Sequence, residues 1–127
     1  MGYLEKARAL REDKTTHYNC CQSTLMPFCE RLGMEEEQGR KEGAFFGSGM
    51  RCGSVCGAVT GALMVLGLAG ADDQAGPELM KRFREKNGFL NCAELLKAAA
   101  ERGEERKPHC DRMVYDAVEL TKELLGE

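Results

Sequence analysis

Seven cysteines and two histidines are the residues with most chemistry to offer in this chain of 127. Thiolates bind soft metals, hold iron–sulfur clusters and exchange with disulfides. An odd number of cysteines cannot be wholly paired within one chain. Their spacing carries no local signature. There is no CxxC, no zinc-finger pair and no ferredoxin run, and the absence of CxxCH leaves covalent haem unsupported. Cys52 and Cys56 share a helical face if their helix begins early enough. Any common site must otherwise be assembled by folding across long separations. His17 lies three residues before Cys20 and His109 abuts Cys110, so each is a candidate to tune a thiolate or to ligate beside it. The ordinary alternative for both is a cap or a surface position. No Ser/His/Asp arrangement or pair of carboxylates stands out, which disfavours hydrolysis.

The elements that must position these thiols read as helices almost throughout, and no strand pattern survives. The expected fold is all-α, a compact bundle of about six or seven helices around a central Gly-rich apolar helix. Residues 3–11 form a short charged helix. Thr15 and Thr16 can cap a second helix over 17–32, with a kink near Met26 from Pro27 and an end at Gly33. Residues 34–44 read as a solvated charged helix. The central helix is expected over 54–68, where Gly57 and Gly61 leave a groove for a close neighbour, within the chain or across a homodimer. Pro77 fits the first position of the next helix, over 77–86. Another helix is expected over 90–102, and a last one from His109 or Cys110 to Leu125. On this reading Cys20, Cys56, Cys92 and Cys110 each sit in the first turn of a helix. The unpaired N–H groups and positive dipole end there favour thiolate. Cys21, Cys29 and Cys52 read instead as small core hydrophobes.

Bulk properties narrow the partners. The length suits one domain over 1–127. Net charge is −3, with no basic excess to grip phosphate backbones, so nucleic acid is not an expected partner. The N-terminal segment is charged and lacks an apolar signal region, so a cytoplasmic location is expected. Many cysteines in a reducing compartment argue for metal or redox work over a disulfide framework. The uncharged run 52–71 approaches a membrane span in length, but its glycines and polar residues favour a buried helix. The Gly-rich stretch 43–53 lacks the G-x-x-x-x-G-K-[ST] pattern and follows a helix, so nucleotide binding is disfavoured.

The run Cys56-Gly57-Ala58-Val59-Thr60-Gly61 resembles the CGAxxG signature of the redox-active family labelled C_GCAxxG_C_C, which is similar to a domain of split-Soret cytochrome c. The resemblance extends upstream to Asn19-Cys20 and downstream to Asn91-Cys92-Ala93-Glu94-Leu95-Leu96 and Cys110, over roughly residues 15–125. It implies that the family's four characteristic cysteines fall on Cys20, Cys56, Cys92 and Cys110. It also implies a redox site, with an iron–sulfur cluster at those cysteines and an unknown redox partner protein. Two departures stand out: the label writes GCA where this chain has Cys-Gly-Ala after Val55, and this chain has three additional cysteines. No counterpart of the cytochromes' haem-binding extension is visible. Two alternatives to the cluster remain at this point: a metal-free thiol–disulfide protein, and a structural four-cysteine zinc site in an interaction module.

Overall fold

The computed structural model describes residues 2–127. Seven α-helices account for most of them: α1 (Tyr3–Glu12), α2 (Cys20–Leu25), α3 (Glu36–Gly43), α4 (Gly57–Leu68), α5 (Ala75–Asn87), α6 (Cys92–Glu101) and α7 (Arg106–Leu124). A 3₁₀ turn, Met26–Phe28, continues α2, and no strand occurs among the described residues beyond one isolated bridge between Val55 and Asn91. The fold is all-α, as the periodicity predicts. No helix among the described residues is long and apolar enough to cross a membrane.

Helix α4 is the centre. It carries no charged residue, and Ala58, Val59, Ala62 and Val65 are fully buried. Helices α2, α5 and α7 pack around it. Leu25 and Phe28 close the core from the α2 side, Leu79 and Phe83 from α5, and Met113, Val114, Ala117 and Val118 from α7. Helix α1 lies across α7 and the 3₁₀ turn. The glycine groove of α4 is filled by α2 of the same chain. A Cβ on Gly57 would stand 3.1 Å from the Cys21 nitrogen and 3.2 Å from the Cys20 Cβ, and one on Gly61 would stand 2.7 Å from the Cys21 carbonyl oxygen. Glycine's helix penalty of about 1 kcal/mol is thus offset by backbone-to-backbone packing.

Several boundaries differ from the sequence reading, each for a local reason. Helix α2 starts at Cys20 because Asn19, not Thr15 or Thr16, caps it. The Gln22 N–H donates to the Asn19 side chain at 2.8 Å, and the Asn19 N–H donates to Gln22 Oε1 at 2.9 Å. The two threonines instead donate to Asp13 in the preceding loop. Pro27 converts the end of α2 into the 3₁₀ turn, so the expected kink is a change of helix type. Helix α4 starts three residues later than expected, because Ser54 and Val55 are drawn into extended pairing. The Cys56 N–H donates to the Leu90 carbonyl at 2.8 Å and the Cys92 N–H to the Ser54 carbonyl at 2.7 Å. Helix α5 begins at Ala75, which puts Pro77 at its third position. Helix α7 begins at Arg106, so Pro108 lies inside its first turn, where a missing N–H costs nothing.

The segment before α4 is the one irregular stretch. Ser48, Gly49, Met50 and Arg51 have φ of 53°, 62°, 58° and 62° in succession, a left-handed turn that includes three non-glycine residues. Each such residue costs about 1–2 kcal/mol relative to a right-handed one. Cys52 follows at φ −136° and is exposed, so it neither shares a helical face with Cys56 nor belongs to the core as the sequence reading had it.

The packing makes a pair of opposed expectations. Gly61→Ala drives a methyl into the Cys21 carbonyl and should destabilise the fold by about 1–3 kcal/mol. Gly67→Ala, on the same helix with nothing within 4 Å of the new methyl, should stabilise it by about 0.5–1 kcal/mol. Urea unfolding of both variants checks this, and equal shifts would contradict the close approach of α2 and α4.

Candidate functional site

The sulfur-bearing residues singled out by sequence meet around one cavity. Cys20, Cys56, Cys92 and Cys110 all line a space of about 580 Å³ between the start of α2, the start of α4, the start of α6 and the first turns of α7. Cys20 and Cys92 are the first residues of their helices, and Cys56 is the residue that precedes α4. Cys110 departs from the pattern. It is the fifth residue of α7, one turn in, and Arg106 occupies the first position. All seven cysteines are free thiols. Cys21 and Cys29 are fully buried in the core, as expected, with the Cys21 thiol 3.9 Å from the Met64 sulfur.

Local hydrogen bonding explains why these four converge. The paired amides of Cys56 and Cys92 bind two loop segments back to back, which sets those two residues side by side. Gly57 against α2 brings Cys56 to Cys20. Arg11 draws Cys110 in. It is 8% exposed, its Nε donates to Asp111 Oδ1 at 2.7 Å and its Nη1 to the Tyr18 carbonyl at 2.8 Å. One guanidinium thereby ties the residue after Cys110 to the chain just before Cys20. Arg11 has no signature at the level of sequence, and its only hint is a charged residue on the apolar side of a short helix.

The electrostatics are uneven. Burial raises the thiol of Cys56 to about 11, although the Ala58 and Val59 amides at the start of α4 pull the other way. Burial likewise raises Cys92, and raises Cys21 to about 12. The Cys20 and Cys110 thiols act most strongly on each other. This raises Cys20 well above an ordinary thiol and lowers Cys110 to about 6, helped by the charges of Arg11 and Arg106. The expectation that four helix starts make four thiolates is therefore corrected. In the metal-free chain, desolvation raises Cys56 and Cys92 while the neighbouring Cys110 raises Cys20, and only Cys110, beside two arginines, is favoured as thiolate.

The two histidines differ. His17 is exposed on the loop before α2 and borders the cavity. His109 also borders it but is 2% exposed, with Nδ1 3.6 Å from Glu104 and no hydrogen-bond partner. Desolvation lowers its pKa, which favours the neutral ring.

The donor set bears on what the cavity accommodates. Among the described residues, no group of three or more Cys, His, Asp or Glu side chains stands as a ready-made shell for one ion. Tetrahedral zinc requires every sulfur within ~2.3 Å of a common point. Four cysteines border the same space with Arg11 and Arg106 beside Cys110, and thiolate ligands suit iron–sulfur clusters and zinc alike.

The fold and site thus define an all-helical protein with a four-cysteine cavity. The model of the C_GCAxxG_C_C family, described as a putative redox-active protein, matches residues 18–124, and the chain belongs to this family. No curated protein and no solved structure matches it.

The thiol pair predicts a pH profile. A group with a lowered pKa is deprotonated at a pH where ordinary thiols are not, so alkylation of Cys110 in the reduced metal-free protein should be half-maximal near pH 6 and precede that of Cys20, Cys56 and Cys92. Arg11→Met removes a favourable cation and should move the Cys110 midpoint upward. Peptide mass spectrometry after iodoacetamide pulses reads both, and a Cys110 midpoint above that of Cys92 would contradict the assignment.

Proposed function

We propose that the chain is an electron-transfer protein whose cavity cysteines Cys20, Cys56, Cys92 and Cys110 hold an iron–sulfur cluster. The observation that supports this most is the convergence of four sequence-distant thiols on one cofactor-sized cavity. Such a cluster supplies reversible one-electron chemistry when bound. The chain's own residues do the rest. The Cys56 amide donates to the Leu90 carbonyl and the Cys92 amide to the Ser54 carbonyl, which holds the two loop segments in register and limits the spacing of the two cysteines. Arg11 and Arg106 place positive charge beside Cys110 and offset the negative charge of deprotonated thiols. Leu10, Leu95 and Met113 line the same space and keep it partly apolar, which limits water at the sulfurs.

A second reading draws on the opposite shifts of two thiols on the same cavity, Cys20 raised and Cys110 lowered. In it the Cys110 thiolate attacks a disulfide substrate and releases one substrate thiolate. Cys20 then gives up its proton and attacks the mixed disulfide, forming a Cys20–Cys110 bond. Two electrons pass to the substrate, which leaves as a dithiol.

Composition after anaerobic purification or reconstitution separates the readings. The cluster reading expects iron and acid-labile sulfide in matched amounts and visible absorption that bleaches on reduction. Serine at any of the four cavity cysteines should lower that content severalfold, whereas Cys52→Ser, at the exposed position, should leave it unchanged. A colourless chain without sulfide that loses two titratable thiols on mild oxidation would overturn the cluster and favour the disulfide.

A further inference from the structure

Burying an imidazole nitrogen without a partner costs free energy, and His109 does so in the wall of the cysteine cavity. The residue is 2% exposed, and Nδ1 is the ring nitrogen sealed from solvent with nothing bonded to it. Together with Leu95 and Met113, His109 lines both the cysteine cavity and a second pocket beside it. Its ring is therefore part of the partition between the two spaces. Glu104 borders the second pocket but not the cysteine cavity, and its Oε1 stands 3.6 Å from His109 Nδ1.

Glu104 is held behind the ring rather than loose in solvent. Arg112 grips both its oxygens, Nη2 donating to Oε1 at 2.9 Å and Nε to Oε2 at 3.4 Å, and Arg102 Nη2 donates to Oε1 at 3.0 Å. Arg112 is itself fixed by a bond to Asn87 Oδ1 at 3.2 Å. A carboxylate behind Nδ1 draws the ring proton to that nitrogen and leaves the Nε2 lone pair free. A shift of roughly 0.7 Å brings Nδ1 and Oε1 to bonding distance. A carboxylate on one nitrogen and a thiol-lined space beside the ring is the arrangement of a metal-binding histidine, whose second N–H is held by an outer carboxylate.

We propose, resting on the redox reading of the cavity, that His109 supplies Nε2 as a nitrogen ligand to an iron at the cysteine site, with Glu104 as the positioning carboxylate on Nδ1. The donor set of the cavity is then mixed, cysteine sulfur with one imidazole nitrogen. Ligation gives the buried ring the partner it lacks, and the Glu104 contact closes as Nε2 is drawn toward the metal. His17, exposed at the same cavity, serves as the internal control.

Isotope labelling of the histidines tests this in the unsubstituted chain. Long-range proton–nitrogen NMR of the metal-free protein at about pH 8 should show His109 neutral with its proton on Nδ1. A proton on Nε2 leaves no lone pair for a metal and would overturn the proposal. In the chain loaded with iron and sulfide, pulsed EPR of the paramagnetic state should show a nitrogen coupling that follows the histidine label, is lost in His109→Ala and persists in His17→Ala. Titration of the metal-free chain with Co2+ provides a readout free of the cluster. There His109→Ala should alter the visible spectrum of the bound ion, and Glu104→Ala should weaken its binding roughly tenfold or more. A loaded cluster with no histidine coupling, or one whose coupling survives His109→Ala, would overturn the ligand and leave the cluster reading standing. A chain that takes up no iron and sulfide, yet binds Co2+ with a spectrum that depends on His109, would overturn the cluster and keep the histidine as a metal ligand. Without iron or sulfide, a Co2+ spectrum the same in His109→Ala as in the wild type, or no Co2+ binding, overturns both.

Discussion

The distance between α2 and α4 is the constraint on which the rest depends. It is set by two missing side chains. Gly57 and Gly61 let the central helix lie directly on the backbone at Cys20 and Cys21. That contact does two jobs at once. It packs the middle of the core, because α4 has no polar face to turn outward along its first turns. It also delivers the residue before α4, Cys56, to the same cavity as the first residue of α2, Cys20. Stability and site geometry are here one contact, and a larger residue at either glycine would disturb both.

Charge is managed by a different device. Helix starts are a modest source of positive potential, and burial at Cys56 and Cys92 is the larger effect, while Cys20 is raised first by Cys110 and then by burial. The balance is shifted at Cys110 by Arg11, a buried side chain from the other end of the molecule, together with Arg106 one turn earlier on α7. Burying a guanidinium is costly unless its donors are satisfied. Arg11 meets that condition through Asp111 and the Tyr18 carbonyl, so the residue that polarises the site also joins α1 to α7 across it.

The parts of this arrangement legible in the sequence are those with a local period or a motif. The apolar run of α4, the glycine spacing and the effect of Pro27 follow from single-residue chemistry, and the all-helical class follows from their sum, whereas the second helix stops at Phe28 and Gly33 closes a turn rather than a helix. The four cysteines were marked by their places near expected helix starts and by the resemblance around Cys56. Three positions escaped. Cys110 lies a turn inside α7, because Pro108 is tolerated in the first turn of a helix and so does not mark its boundary. Cys52 is exposed, because the glycines around it permit a left-handed path that no helical pattern predicts. Arg11 looks like any solvated charge until folding places Asp111 and Tyr18 around it. Each miss is a tertiary pairing with no echo in neighbouring residues.

The cross-loop rung at Val55 and Asn91 gives the cavity two unlike walls. On one side, Cys56 and Cys92 hang from main-chain bonds to Leu90 and Ser54, which bear on the backbone of the cysteines themselves. On the other, the chain beside Cys20 and the residue after Cys110 are tied through a side chain, the Arg11 strut between the Tyr18 carbonyl and Asp111. Side-chain ties stretch and re-form more easily than paired amides. Any breathing of the pocket, to admit a cofactor or to follow a change in its size, is therefore taken up on the α1–α7 wall while the opposite wall serves as the anvil.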